Sequence, residues 1–458
     1  MAIPIRALAS ALLLAVGLAL SARAEDPAPR FDGYMKACVE VNHFSGAVLV
    51  SKGGKTLFAS GYGFANAEHQ VPNTTRTKFR LGSITKQFTA MAILILQERG
   101  KLKVEDPVGK FIDDAPKAWD SVTIHHLMTH TGGIPSYTDD PAYIKKMMMP
   151  ETVKSMISRF RDKPLEFRPG EKFHYSNSGY FLLGAIIEKV SGKSYETFLK
   201  EAIFDPLGMK DTGYDHPATV LPGRASGYTL RKDGPVNAEY LDMSQPYAAG
   251  SLYSTVEDLA RWDRALADGK LISGELYAKM YTPLKNNYAY GWMVATTKGR
   301  KEIHHGGGIN GFATEILRYP EQQVCVVVLS NVLPVNPGRV AHDLAAITFE
   351  EPHEQPRAHK VAEVNPRVYD AYVGRYELEP SVIATIARER DRLLLQLTNQ
   401  PLVEMFPESE TVFFLKVVDA TVTFIKDGQG KVSSMIIHQG DRNTRAKRLE
   451  AEPRSKAH

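Results

Sequence analysis

The chain has 458 residues, 43% of them hydrophobic and 24% charged, with 35 glycines and two cysteines. This is the composition of a globular protein long enough for two or three domains, and it excludes a disordered, collagenous or disulfide-framed chain. The formal charge of +4 is too near balance for a nucleic-acid surface or a polybasic membrane contact.

The chain opens with Arg6, an apolar run from Ala7 to Leu20, and Ala22-Arg23-Ala24, which has the small-x-small form of a signal-peptidase site. Residues 1–24 read as a secretory signal, whose removal leaves a charge of +2. The apolar run falls short of the roughly 20 residues that span a bilayer. Export with cleavage, to the periplasm or the exterior, is therefore expected rather than an anchor, and no other stretch is apolar enough to make a stable membrane span. An oxidising compartment permits a Cys38–Cys325 bond. Cys38 falls on a helix and Cys325 in the strand-like Gln322-Gln-Val-Cys-Val-Val-Val-Leu-Ser330, so two separate buried thiols are the expectation.

Residues 25–30 are proline-rich and read as an unstructured lead. A helix over 31–42 follows, then Gly46-Ala-Val-Leu-Val-Ser51 and Thr56-Leu-Phe-Ala-Ser60, joined by Lys52-Gly-Gly-Lys55 as a hairpin. Residues 62–80 are loop-like. Leu81-Gly-Ser-Ile-Thr-Lys86-Gln-Phe88 then opens a helix whose apolar residues run nearly all round, the mark of full burial. From 101 to 222 the signals are helical. Ile124-His-His-Leu-Met-Thr-His130-Thr-Gly-Gly reads as a short helix closed by a glycine turn, and Tyr175-Ser-Asn177 lies ahead of a helix over 178–190. Further helices are expected over 195–204 and from Thr255, with Ser254 or Thr255 as its cap.

Strands are expected near 289–296, 301–305, 313–319 and 323–330, with Gly306–Gly308 between the second and third, and a helix over 337–349. The element order predicts an α/β (α+β) region over 31–350: a sheet flanked by helices, an all-helical subdomain, and a cleft between them. Residues 351–366 read as a linker. From 367 to 450 short alternating strands follow, at 372–376, 382–386, 393–397, 412–415, 421–425 and 432–437, which predict a small antiparallel β-barrel.

Ser83 and Lys86 are three residues apart on a helix, so a hydroxyl and an amine share one face. At a helix N-terminus the backbone N–H groups also favour negative charge developing on oxygen. Ser-x-x-Lys alone is a weak signal. Its force comes from Tyr175-Ser-Asn177 and from Ile303-His304-His305-Gly306-Gly307-Gly308-Ile309-Asn310-Gly311-Phe312 further on.

With Leu127-Met-Thr-His-Thr-Gly-Gly-Ile-Pro135, Phe204-Asp-Pro-Leu-Gly-Met209 and Ala249-Gly-Ser-Leu-Tyr-Ser-Thr255, these motifs resemble the serine beta-lactamase and penicillin-binding-protein superfamily. Within it they are most similar to class C beta-lactamases, D-Ala-D-Ala carboxypeptidases, D-aminopeptidases and related esterases. The resemblance implies an antiparallel beta-lactamase/transpeptidase-like sheet over about 31–350, with an appended small barrel. It implies that Ser83 forms an acyl-enzyme, helped by Lys86 and Tyr175, with the choice of base between those two left open. Asn177 would bind the substrate's amide carbonyl, the backbone N–H groups of Ser83 and Gly308 would form the oxyanion hole, and His305 would stand where many relatives have lysine. The Gly311-Phe312 pair places His305, with His304 beside it, in the first motif position. Gly306 and Gly307 complete that substrate-binding strand.

At position 306 relatives usually carry Thr or Ser, whose hydroxyl helps bind a substrate carboxylate. Its loss weakens such binding by roughly 1–3 kcal/mol. The implied activity is therefore that of a D-aminopeptidase, DD-peptidase or esterase on a small-molecule or peptide substrate, without cofactor or metal. The alternatives are a class C-like beta-lactamase and a penicillin sensor that acylates without turnover. A metal site on His126 and His130 with His304 or His305 is a further, weaker alternative.

Overall fold

The computed structural model describes residues 27–449, apart from 232–233, 358, 380–381, 399, 401, 416–419 and 440–441. The signal segment expected over 1–24 lies outside the described residues. Among these, no helix is long and apolar enough to cross a membrane.

Both ends of the first 350 residues build one six-stranded antiparallel sheet. Across it the strands run Met293–Thr297, Arg300–Ile309, Phe312–Tyr319, Val324–Ser330, Gly46–Lys52 and Lys55–Tyr62. Gly46–Lys52 and Val324–Ser330 pair with Val48 opposite Val328. Both faces are covered, so these strands are near-continuous apolar runs, and alternation sorts their side chains between two cores. Ala47, Leu49, Cys325, Val327 and Leu329 join the core around the helix Thr85–Glu98. Val48, Val50, Val326 and Val328 face the helices Ala28–Asn42 and Pro337–Thr348. Cys38 belongs to the second core and Cys325 to the first, and no disulfide joins them.

The central helix is buried on every side from Thr85 to Leu96. Phe88 packs on Trp262 with ring centroids 4.5 Å apart, tying this helix to Val256–Ala267. The Thr255 side chain caps that helix by accepting the N–H of Asp258.

Several boundaries differ from expectation. The first helix starts at Ala28, since prolines are tolerated in a first turn. The strand expected from 289 starts at Met293, because Gly291 has φ +75° and Tyr288, Tyr290 and Trp292 are buried loop side chains. The helix expected over 195–204 is Tyr195–Leu199 followed by a π-turn, Lys200–Phe204. Short strands Phe64–Asn66, Val71–Pro72 and Phe79–Arg80 interrupt the loop read over 62–80.

The barrel has eight strands rather than the six expected, from Gly374–Glu379 to Arg442–Arg448, and closes where Tyr376 pairs with Arg448. Side chains fill it: Tyr372 stacks on Phe424 at 4.2 Å, and Tyr376 and Phe413 pack beside them. Residues 351–366 touch both parts of the chain. Glu351 pairs with Arg300 at 2.6 Å, while the Ala362 N–H donates to the Pro407 carbonyl at 2.8 Å.

Candidate active site

Ser83 lies in the 3-10 turn Gly82–Ile84 that leads into Thr85–Glu98. Gly82 adopts φ +54°, and a Cβ there would stand 3.0 Å from the Gly308 nitrogen. Glycine is required so that this turn can abut the strand. One helical turn on, Lys86 is completely buried. Its Nζ lies 3.0 Å from Ser83 Oγ, 2.9 Å from Asn177 Oδ1 and 2.8 Å from the Ala249 carbonyl oxygen. Burial drives the amine's pKa well below the usual lysine range.

Tyr175 occupies the loop ahead of Asn177–Ser191. Burial holds the pKa of its phenol above the ordinary phenol range, against the opposite influence of the nearby Ser83 hydroxyl. Lys86 Nζ is 4.8 Å from its ring centroid. Ser176 caps the helix, and its hydroxyl donates to the Ile134 carbonyl at 2.9 Å. Asn177 Nδ2 donates to Thr138 Oγ1 at 3.1 Å, so the orientation of the amide is set from both ends. Neither Thr138 as a partner of Asn177 nor Ala249 as a partner of the amine stood out in the sequence, because these contacts join segments 39 and 163 residues apart.

The three glycines are a correction to the expected strand limits. They lie inside Arg300–Ile309, paired with residues Ala313–Glu315, and the hairpin turns at Asn310-Gly311, where Gly311 has φ +79°. Pairing with Met293–Thr297 ends at His304, so residues 305–309 form an unpaired edge beside Ser83. In a two-residue hairpin the residues flanking the turn exchange both hydrogen bonds, here Ile309 and Phe312. Gly308, next along, turns its N–H to the open edge. A Cβ on Gly306 would meet Glu315 Oε2 at 2.8 Å and one on Gly307 would meet the Leu81 carbonyl oxygen at 2.0 Å, whereas one on Gly308 would meet nothing. The first two glycines thus admit the protein's own atoms, and only the third opens outward. The Thr314 hydroxyl, donating to Leu81 O at 2.8 Å, fastens the Ser83 turn to this strand.

His305 is buried on the cleft side. Its Nδ1 is 2.6 Å from the Gly306 carbonyl, which can only accept, so Nε2 accepts from the Tyr288 hydroxyl at 2.9 Å. Burial pushes its pKa down to about 3. Its ring centroid is 6.5 Å from that of Tyr175. His304 turns to the opposite face, with Nδ1 3.1 Å from Glu315 Oε1.

The other two histidines considered are occupied by backbone. His126 Nδ1 accepts the Thr123 N–H at 3.1 Å, closing a capping box, and His130 Nδ1 accepts the Ser176 N–H at 3.0 Å. Among the described residues no group of three or more His, Cys, Asp or Glu side chains is arranged to hold a metal.

Comparison with known proteins identifies the family. The family described as Beta-lactamase matches residues 31–348, and one described as Domain of unknown function (DUF3471) matches 358–453. Penicillin-binding protein 4* of Bacillus subtilis (strain 168) is 31% identical over 436 residues, which span 87% of this chain and 94% of that protein. The octameric penicillin-binding protein homologue from Pyrococcus abyssi is 29% identical with a TM-score of 0.65, covering 92% of this chain and 99% of its own. A D-stereospecific amidohydrolase from Streptomyces sp. shares the fold, with a TM-score of 0.60 and 23% identity over 70% of this chain and 99% of its own. With more than half its length matched, the chain belongs to the Beta-lactamase family, within the serine beta-lactamase and penicillin-binding-protein superfamily.

Proposed function

We propose that this protein is an exported serine hydrolase that cleaves an amide or ester bond through an acyl-enzyme on Ser83. The observation that carries the reading is the set of three oxygens around Lys86 Nζ. A neutral amine has two hydrogens and one lone pair. Asn177 Oδ1 and Ala249 O can only accept, so they take the two hydrogens, and the lone pair is left facing Ser83 Oγ. Burial keeps the amine neutral, and it receives the Ser83 proton as Oγ attacks the carbonyl carbon.

The developing oxyanion takes hydrogen bonds from the N–H groups of Ser83 and Gly308. The second hydrogen on Asn177 Nδ2 is free to hold the acyl part's amide carbonyl. Tyr175, with its pKa raised, keeps its proton and gives it to the leaving nitrogen or oxygen; the Lys86 ammonium then replaces it. Water attacks the ester of Ser83 by the same route in reverse, and Ser83 recovers its hydrogen.

A substrate carboxylate beside the 305–307 edge would find a neutral His305, no hydroxyl at Gly306, and the Glu315 carboxylate on the face that a side chain at 306 would fill. This favours D-amino acid amides, peptides and esters over beta-lactams. The test is a panel of p-nitrophenyl esters, D-amino acid amides, D-Ala-D-Ala peptides and nitrocefin. Ester and amide turnover is expected, with little on nitrocefin, and Ser83→Ala should abolish both turnover and fluorophosphonate labelling. Activity surviving in Ser83→Ala would defeat the reading. Because the B. subtilis relative is named a penicillin-binding protein, a single acylation burst without turnover would instead identify a sensor.

A further inference from the structure

We propose that His130 is a positioning residue for Tyr175, an inference that rests on the proposed role of Tyr175 as proton donor to the leaving group. Tyr175 belongs to a stretch without regular secondary structure, between the turn near Gly170 and the helix that starts at Asn177. Such a stretch does not by itself hold a phenol to the few tenths of an ångström that proton transfer needs.

His130 holds it on three sides. The His130 carbonyl accepts the N–H of His174 at 2.9 Å, and its Nδ1 accepts the N–H of Ser176 at 3.0 Å. Between those two bonds, its ring lies against that of Tyr175, centroids 4.2 Å apart and planes inclined by 33°. One residue therefore grips the backbone before and after Tyr175 and one face of its ring. His130 does so from φ +56°, a left-handed conformation unusual for a histidine. Lys86 Nζ also touches the Tyr175 ring, 4.8 Å from its centroid.

The other nitrogen shows that this is more than space filling. With Nδ1 accepting, the proton sits on Nε2, which is buried and meets no acceptor among the described residues. The rings of Phe173 and Tyr288 stand across it, at 85° and 62°. A phenylalanine would fill this aromatic box without an orphaned N–H, so the feature that requires histidine is the acceptor at Nδ1. Protonating Nδ1 would set a donor against the Ser176 N–H, and burial of the ring opposes it.

The test compares leaving groups on one acyl part, a p-nitrophenyl ester against the corresponding amide, because p-nitrophenolate departs without a proton. Because Tyr175 also takes the water's proton in deacylation, the comparison is made on single-turnover acylation: Tyr175→Phe is expected to slow acylation by the amide about 100-fold or more while sparing the p-nitrophenolate burst of the ester. His130→Ala should reproduce that pattern at about 10- to 100-fold in kcat on the amide, with KM changed less than about threefold. His130→Asn tolerates the left-handed backbone and offers Oδ1 to Ser176, and should recover most of the amide rate. His130→Phe keeps a ring without the acceptor, and should not.

If His130→Ala folds, with an unchanged far-UV spectrum, and loses both substrates equally or neither, the inference is overturned. If it does not fold, the Asn and Phe variants decide, and equal amide-to-ester ratios in those two overturn it. If Tyr175→Phe fails to discriminate between leaving groups, the proposed role of Tyr175 falls, a result distinct from failure at His130.

Discussion

Lys86 Nζ and the carbonyl oxygen of Ala249 lie 2.8 Å apart with both groups buried, and this contact decides where the amine can point. The carbonyl belongs to the turn Tyr247–Ala249, whose Ala248 carbonyl accepts the Thr89 hydroxyl from the same central helix at 2.7 Å. Two successive carbonyls of one turn are thus fastened to one helix, three residues before the strand Leu252–Ser254 begins. In the proposed reaction the turn spends one amine hydrogen so that the lone pair stays aimed at Ser83.

Lys86→Met should lower the rate of Ser83 acylation about 10²- to 10⁴-fold, and Lys86→Arg should not rescue it, since a guanidinium does not act as a base near neutrality. A base works unprotonated, so kcat/KM should rise with pH through the lowered Lys86 pKa. The acid limb would then lie well below the lysine range. A pH profile on one ester substrate checks this, and a limb at the ordinary lysine pKa would contradict it.

Asn177→Ala removes one amine acceptor and the proposed carbonyl ligand together. An approximately 100-fold fall in kcat/KM is expected, of the size seen when a single preorganised donor is lost. Thr138→Val removes only the contact that orients Asn177 Nδ2, 3.1 Å away, and should cost less, about tenfold. Steady-state kinetics on a D-amino acid amide would rank the two.

Thr314→Val leaves the buried Leu81 carbonyl without the Thr314 hydroxyl. Loss of about 1–3 kcal/mol of stability is expected, measured by denaturant unfolding. Gly307→Ala should be worse for activity, because its Cβ would lie 2.0 Å from the Leu81 oxygen and either the strand or the Ser83 turn must move. Wild-type kcat in a folded Gly307→Ala variant would show that the turn and the strand are not tightly coupled.

A pH dependence of stability is expected on the opposite face of the sheet. Burial alone would lower the pKa of His342, but Glu302 Oε2 at 3.2 Å and the Gly338 carbonyl at 2.8 Å outweigh it and raise it to about 9. The folded-state value exceeds the unfolded one, so this contribution is fully present below about pH 6.5 and is lost as the pH rises through about 9. Its size is on the order of 1–3 kcal/mol. Tm should fall between pH 6 and pH 9.5, and His342→Gln should flatten that fall.

Much of the architecture was legible because it is local. The all-apolar run after Ser83 marks a buried helix, Lys52-Gly-Gly-Lys55 marks a hairpin whose glycines adopt φ +58° and +72°, and Thr255 marks a helix start. Two barrel strands escaped for the converse reason. Val403–Pro407 is short and carries Glu404, and Arg442–Arg448 has Ala446 as its single apolar residue. The second is a strand because Met435 and its neighbours on Val432–Gln439 pair with it, not because its own pattern alternates.

The sequence by itself determined the elements and the residue types at the site: Ser83, Lys86, Tyr175, Asn177 and the glycine-rich strand, each recognisable within a few residues of its own motif. Only the tertiary structure decided how they are used. It buried Lys86 among oxygens contributed by residues 177 and 249, turned His305 toward Tyr288 and His304 toward Glu315, aimed the Gly308 N–H at an unpaired edge, and set His130 against Tyr175. The reason is physical. Helix starts and tight turns depend on bonds spanning three or four residues, whereas the direction of a lone pair, the choice of tautomer and the desolvation of an amine depend on groups on separate elements, brought together from 11 to 163 residues away.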